Sequence, residues 1–347
     1  MNPKKWLVYL VITTFIVIGL PVFSVMGFNY YIDPLWNFTH ANEYNDYQYA
    51  FDERQLKTNY INNHNFDYDS LLIGTSRVTY IDETAFKKEK VYNYSLSSLH
   101  IEEYLDYMKY AEKKNEKPFK RIYIELYINS YDGDTLQTTS PAETYFDTAE
   151  DTFYPITSLF SKNTLDYALE NYAASKADYY AGPRSYTRNN IGQTTYPNDQ
   201  LDFSWNKFKK NFYANADKPF NYDENYKEKI QEIKDAFPNT EIIVFTDLIP
   251  AKRFQTVLHN DIRYEAYSRW MNEMVDVFET VYSFHGVNNV TTNMDNFFDW
   301  LHFYPQVGDL MIEALENRDE PSEIVQVVNE DNVDSYLAEI VVDIELD

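Results

Sequence analysis

Three short segments carry the residue types that acyl chemistry at a serine needs. The first is Gly74-Thr75-Ser76-Arg77, directly after the apolar run Leu71-Leu72-Ile73. A nucleophilic hydroxyl belongs on a tight turn at a strand end, where the next backbone N–H groups can face a developing oxyanion. The plain alternative is a serine that caps a helix or turn. The second segment is Asp299-Trp300-Leu301-His302. A serine needs a base and the base an orienting carboxylate, and residues three apart meet on one helical turn. Histidines stand at 40, 64, 100, 259, 285 and 302, and only His302 has a carboxylate three residues before it. Its alternatives are a surface Asp–His pair, or an imidazole packed among Phe298, Phe303 and Tyr304. The third segment is Tyr92-Asn93-Tyr94-Ser95-Leu96-Ser97-Ser98. Its amides could line the same edge, or simply form a polar strand-to-helix turn.

Two further residues sit beside these. Arg77 could attract an anionic substrate or pair with a nearby carboxylate. Asp247, after another apolar run, could face the same edge or cap a turn. No metal-ligand spacing such as H-E-x-x-H is present. The eight glycines form neither G-x-G-x-x-G nor G-x-x-x-x-G-K-S/T, so no nucleotide-phosphate loop is expected and no cofactor is implied. With no cysteine, thiolate metal sites, disulfides and a cysteine nucleophile are excluded. Lys plus Arg total 30 against 55 Asp plus Glu, a net charge of −25, which argues against nucleic-acid binding. The 33 tyrosines and 23 phenylalanines suit sugar or peptide contacts, or, in the blander reading, a core built with tyrosines.

These segments need a frame. Short apolar runs predict strands at 68–73, 90–94, 121–128, 241–245 and 281–284. Helical patterns predict helices at 101–113, 226–237, 262–280 and 307–317. Strands alternating with helices predict an α/β layer fold with a mostly parallel sheet, whose ligands bind beyond the C-terminal strand ends. The Tyr-, Thr-, Ser- and Asn-rich span 131–220 breaks the rhythm and reads as an insertion beside the site. Residues 319–347 hold ten acidic and no basic residues. Short apolar runs, IVQVV and AEIVV, interrupt the charge, and the span reads as a disordered acidic tail, with an added edge strand or a partner-binding strand as the alternative.

The N-terminus predicts the compartment. Residues 6–28 form an uncharged apolar stretch long enough for one transmembrane helix, preceded by Lys4 and Lys5. The alternatives are a cleaved secretory signal and a buried core helix. The positive-inside rule puts residues 1–5 in the cytoplasm and the rest outside the cell membrane. Residues 29–66 then read as a juxtamembrane segment containing a lead-in helix, and residues 67–318 as the exported domain.

LLIGTSR, YNYSLSS and FFDWLHFYPQVGD together resemble the blocks of the SGNH (GDSL-type) hydrolase superfamily, over roughly residues 67–318. The likeness is to its membrane-anchored bacterial branch of polysaccharide O-acetyltransferases and teichoic-acid D-alanyl transfer proteins. The resemblance implies a flavodoxin-like three-layer domain. It implies Ser76 as nucleophile, His302 as base and Asp299 as its partner, with the amides of Ser76 and Ser98 in the oxyanion hole. The chain departs from the family at Ser98, where glycine is usual, and in lacking Gly-x-Asn-Asp, for which Asn129 is a displaced candidate. The implied function is O-acyl transfer to, or ester hydrolysis on, a cell-surface glycopolymer. The implied partner is a membrane-bound O-acyltransferase as acyl donor. A non-catalytic accessory or glycan-binding protein on the same fold is the alternative.

Overall fold

The computed structural model describes residues 3–128, 140–177 and 182–344. The chain divides into two units, Met1–Asn65 with Thr144–Asn190, and Phe66–Glu143 with Ile191–Asp347.

The first unit carries the N-terminal helix, Pro3–Ile32, which is long and apolar enough to cross a membrane. A π-helical turn at Phe15–Gly19 interrupts its α-helical hydrogen bonding. Only its last turns are buried, at Asn29 and Ile32. Residues 29–65 do not form a bare stalk. They fold with 144–190 through side-chain amides and buried charges. Asn29 Nδ2 donates to the Leu159 carbonyl (2.9 Å), and Asn171 Oδ1 accepts from the amides of Tyr49 and Ala50. Arg188 pairs with the buried Asp33 carboxylate at 2.8 Å. Strand β1 (Tyr47–Gln48) pairs antiparallel with β5 (Ser185–Thr187). The span expected as one insertion is therefore split: 144–190 belongs to this unit, while 191–220 stays with the second.

The second unit is built on β2 (Ser70–Ile73), β3 (Val91–Asn93), β4 (Arg121–Leu126), β7 (Glu241–Thr246), β8 (Thr280–Ser283) and β9 (Gln326–Asn329); β6 is the two-residue Gly192–Gln193. The sheet order is β3-β2-β4-β7-β8-β9. Every pairing is parallel except β8 with β9. The five predicted strands are thus the five parallel ones. The chain starts in β2, steps out to β3 and returns past β2 to β4. That reversal creates a switch point between β2 and β4, where ligands of open parallel sheets bind.

Both faces of the sheet are covered, which explains its near-continuous apolar strands. On one face Leu72, Tyr123, Ile243 and Phe245 pack in a cluster with Val307, Met311 and Leu315 of helix Pro305–Glu316. The residues of opposite parity, Leu71, Ile73, Ile122, Ile124 and Val244, are also buried. Tyrosines fill much of this interior: Tyr80, Tyr92, Tyr94, Tyr104 and Tyr123 are nearly inaccessible.

Within its described residues, up to 344, the acidic C-terminal span folds onto the second unit rather than forming a free tail. β9 adds an antiparallel edge, and helix Val333–Glu339 buries Tyr336 and Leu337. The apolar positions Val325, Val328 and Val333 turn inward, so the acidic residues between them face outward without disrupting the core.

Candidate active site

β2 ends at Ile73, and Gly74 follows where the chain passes close against Glu125 and Val78. An added Cβ there would stand 2.7 Å from Glu125 Oε2 and 2.7 Å from Val78 Cγ2, so no larger residue fits without displacement. Ser76 follows on the turn before the short 3₁₀ helix Val78–Tyr80. Thr79 Oγ1 donates to the Ser76 carbonyl at 2.6 Å and holds the turn from below.

The Ser76 hydroxyl lies 2.9 Å from His302 Nε2. His302 Nδ1 lies 2.9 Å from Asp299 Oδ2 and 3.1 Å from Oδ1. The Asp299 carboxylate also accepts the amides of Leu301 (2.7 Å) and His302 (2.8 Å). Burial would raise its pKa. The hydrogen bond and charge of His302, with the two amides, outweigh burial and hold it below the usual carboxylate range. Phe298 stacks on the imidazole, 5.5 Å between centroids and 4° between planes, and Tyr80 meets it edge-on. The imidazole is thus fixed by ring packing on its face and by a carboxylate on Nδ1. That arrangement places Nε2 to accept the serine proton.

The third predicted segment runs beside the same turn. Tyr94 N donates to the Leu72 carbonyl and Leu96 N to the Gly74 carbonyl (2.9 Å), extending the β2–β3 ladder past the strand ends. Ser98 follows, exposed, with φ of +52°. This is the left-handed region that favours glycine. Asn129 lies outside the described residues.

Arg77 makes the carboxylate pairing that was the second of its two expectations. Its guanidinium is buried, with Nε 3.0 Å from Glu125 Oε1 and Nη1 3.4 Å from Asp247 Oδ2. It also lies over the Tyr127 ring, 4.8 Å from the centroid. Held by two carboxylates, it anchors the turn. Burial would push its pKa down, but Asp247 and Glu125 more than reverse this.

The residue that organises the turn is Glu125, on β4. It is fully buried and accepts Thr75 N (2.5 Å), Thr75 Oγ1 (3.0 Å) and Arg77 Nε, so both neighbours of Ser76 hang from one carboxylate. Burial and the charge of Asp247 raise its pKa, against Arg77 and the Thr75 bonds. Asp247 in turn accepts from His285, with Nε2 3.0 Å from Oδ1. Burial acts to raise the Asp247 pKa, but Arg77 and His285 lower it overall. Beyond His285 the chain of hydrogen bonds runs to Tyr267 and Tyr336. Neither Glu125 nor the pairing of His285 with Asp247 stands out in the sequence. The available signal for Glu125 was a single acid inside the apolar run Ile122 to Ile128.

A cavity of about 550 Å³ opens on the Asp299 side of this site. Its walls include Arg77, Asp247, Asp299, Trp300 and Leu301, and neither Ser76 nor His302 lines it. Among the described residues, no group of three or more His, Cys, Asp or Glu side chains is arranged to hold a metal ion. No protein-family model matches the chain, and no curated protein matches it.

Proposed function

We propose that the protein is a membrane-anchored enzyme of acyl transfer through a serine ester, on a flavodoxin-like three-layer domain of SGNH type. The observation that carries this reading is the continuous hydrogen-bonded series Ser76–His302–Asp299 beyond the end of a parallel strand at the sheet's switch point. The order β3-β2-β4-β7-β8 is the flavodoxin-like strand order, which supports the fold assignment.

In this reading Ser76 Oγ attacks an acyl carbonyl while His302 Nε2 takes its proton. Asp299 balances the charge that forms on the imidazole. The amides of Ser76 and Ser98 receive the oxyanion. Collapse of the tetrahedral adduct expels the leaving group, which takes the proton back from His302, and an acyl-Ser76 ester remains. An acceptor hydroxyl then gives its proton to His302, attacks the ester carbon and releases Ser76. A sugar or polyol hydroxyl of a cell-surface glycopolymer gives transfer, and water gives hydrolysis.

The apolar helix Pro3–Ile32 supports a site held at a membrane. Lys4 and Lys5 support a cytoplasmic N-terminus and an exported domain. A membrane-bound O-acyltransferase as donor follows from the family resemblance alone. The test is an active-site serine probe, a fluorophosphonate, on the full chain. Labelling that disappears in Ser76→Ala supports the reading. Absence of labelling on folded protein, with polymer acylation in cells unchanged by Ser76→Ala, overturns it.

A further inference from the structure

The cavity beside Asp299 has a composition of its own. Helix Leu201–Tyr213 presents Ser204, Phe208 and Phe212 to it at intervals of four residues. Helix Ala251–Leu258 presents Arg253, Phe254 and Val257 from another side. The lining is mostly aromatic and aliphatic, as in sites that take an organic ligand and orient it with few polar groups.

Its cations are the unusual part. Arg253 stacks over the Phe208 ring, 4.1 Å from the centroid. Among the described residues no carboxylate lies within ion-pair distance of Arg253, or of Lys207 and Arg263, which also line the cavity. The two acids in the walls are spoken for: Asp247 by Arg77 and His285, and Asp299 by His302 and two amides. In a chain of net charge −25, a pocket with three cations lacking carboxylate partners is an inversion of the surrounding charge. Burial first, and then the charge of Arg77, pushes the Arg253 pKa down to about 10, against Asp247 and Asp299. The guanidinium therefore stays cationic at neutral pH and is under-compensated, the condition that an anionic ligand relieves.

We infer that this cavity binds an organic anion, a carboxylate or phosphate carried on an apolar body, with Arg253 as the anion's partner and Phe208 and Phe212 against the body. A planar guanidinium already fixed on a ring offers a fork of N–H donors at reduced entropic cost. The inference stands apart from the acyl-transfer reading, because binding here is measured without turnover.

The experiment is isothermal titration of the full chain in lipid nanodiscs with benzoate, phenyl phosphate and the uncharged benzyl alcohol. At least one anion is expected to bind tenfold or more tightly than benzyl alcohol, and to weaken tenfold or more in Arg253→Gln. The tighter of the two anions identifies the headgroup as carboxylate or phosphate. Arg253→Lys keeps a cation but loses the planar fork and the ring stacking, and is expected to bind more weakly than the unaltered chain and more tightly than Arg253→Gln. Ser76→Ala is expected to bind normally, whatever becomes of serine labelling. Equal binding of benzyl alcohol, no binding of either anion, or unchanged binding in Arg253→Gln overturns the inference. So does equal loss in the Gln and Lys variants, which would assign the effect to packing instead of charge.

Discussion

Gly74 and Glu125 approach so closely that a Cβ on Gly74 would stand 2.7 Å from the Glu125 carboxylate. The carboxylate cannot retreat without releasing Thr75 and Arg77, the residues on either side of Ser76. Gly74→Ala is therefore expected to cost about 1–3 kcal/mol of stability, the range for overpacking a filled interior. Because the strain falls on the turn that aims the hydroxyl, catalytic rate should fall further than stability alone explains. A displacement of the nucleophile by about 1 Å can cost about 100-fold. Thermal melts and hydrolysis of a small activated ester check the two parts. A variant with unaltered melting and turnover would show that the close approach does not matter.

Asp299→Asn separates orientation from packing. The asparagine side-chain oxygen can still accept the amides of Leu301 and His302, so the loop should persist and the melting point should move little. Its amide nitrogen can face Nδ1 only as a donor, which favours the imidazole tautomer with the proton on Nε2 and removes the base from Ser76. In serine triads this costs about 10⁴-fold in turnover. The expected outcome is a folded protein with turnover down by about 10³–10⁴ and little change in KM. A loss below tenfold would remove Asp299 from the triad.

Arg77→Met leaves Glu125 and Asp247 buried with no cation between them. Breaking a buried pair by removing one partner costs about 3–5 kcal/mol, and a loss in that range is expected at pH 8. The sign with pH follows from Glu125, whose pKa burial and Asp247 already raise. Without Arg77 it rises further. A carboxyl raised in the folded state binds more protons folded than unfolded, so the penalty is full above the folded pKa and shrinks as pH falls through it. Urea melts at pH 8 and pH 5 should show the gap between variant and unaltered chain narrowing toward acid. A gap that widens toward acid would contradict the assignment of Glu125 as the strained group.

What the sequence revealed and what it hid follow from the range of the interactions. The five parallel strands were legible because each is a local apolar run stopped by a polar or glycine residue, as at Leu71-Leu72-Ile73-Gly74. Asp299 and His302 were legible because their contact is three residues long. Asp247 and His285 make the same kind of contact 38 residues apart, and a search for neighbouring acids passes over it. Glu125 in a buried strand has the same local pattern as an acid on a solvated one. Arg77 shows the limit most plainly, since the residue type allows both a substrate cation and a structural ion pair, and only distances decide. Residues 29–65 and 144–190 assemble through single amides such as Asn29 and Asn171, which leave no periodicity to read. Helix Leu201–Tyr213 lay inside a polar, aromatic span, and its spacing of Ser204, Phe208 and Phe212 acquires meaning only once a cavity stands in front of it.

The N-terminal helix gives the last prediction. A helix of 30 residues spans about 45 Å at 1.5 Å per residue, more than the hydrocarbon core of about 30 Å. Its last turns, at Asn29 and Ile32, are buried within the first unit, so the apolar segment before them is the part left for lipid. In that same unit Phe153, Ile156 and Phe160 are more than half exposed, and Asn29 bonds the carbonyl of Leu159 between them. Large apolar side chains exposed at the point where the helix leaves the protein match residues dipping into the headgroup region. The full chain should therefore stay in the membrane pellet through alkaline carbonate extraction. Removal of residues 3–28 should release it into the supernatant at high pH, with some residual binding to vesicles at neutral pH that Phe153→Asp with Phe160→Asp abolishes. Protease added to intact cells stripped of their wall should digest residues beyond 33 and spare the first few. A full chain extracted by carbonate would end the anchor assignment, and a protease-resistant C-terminal domain in intact cells would reverse the topology.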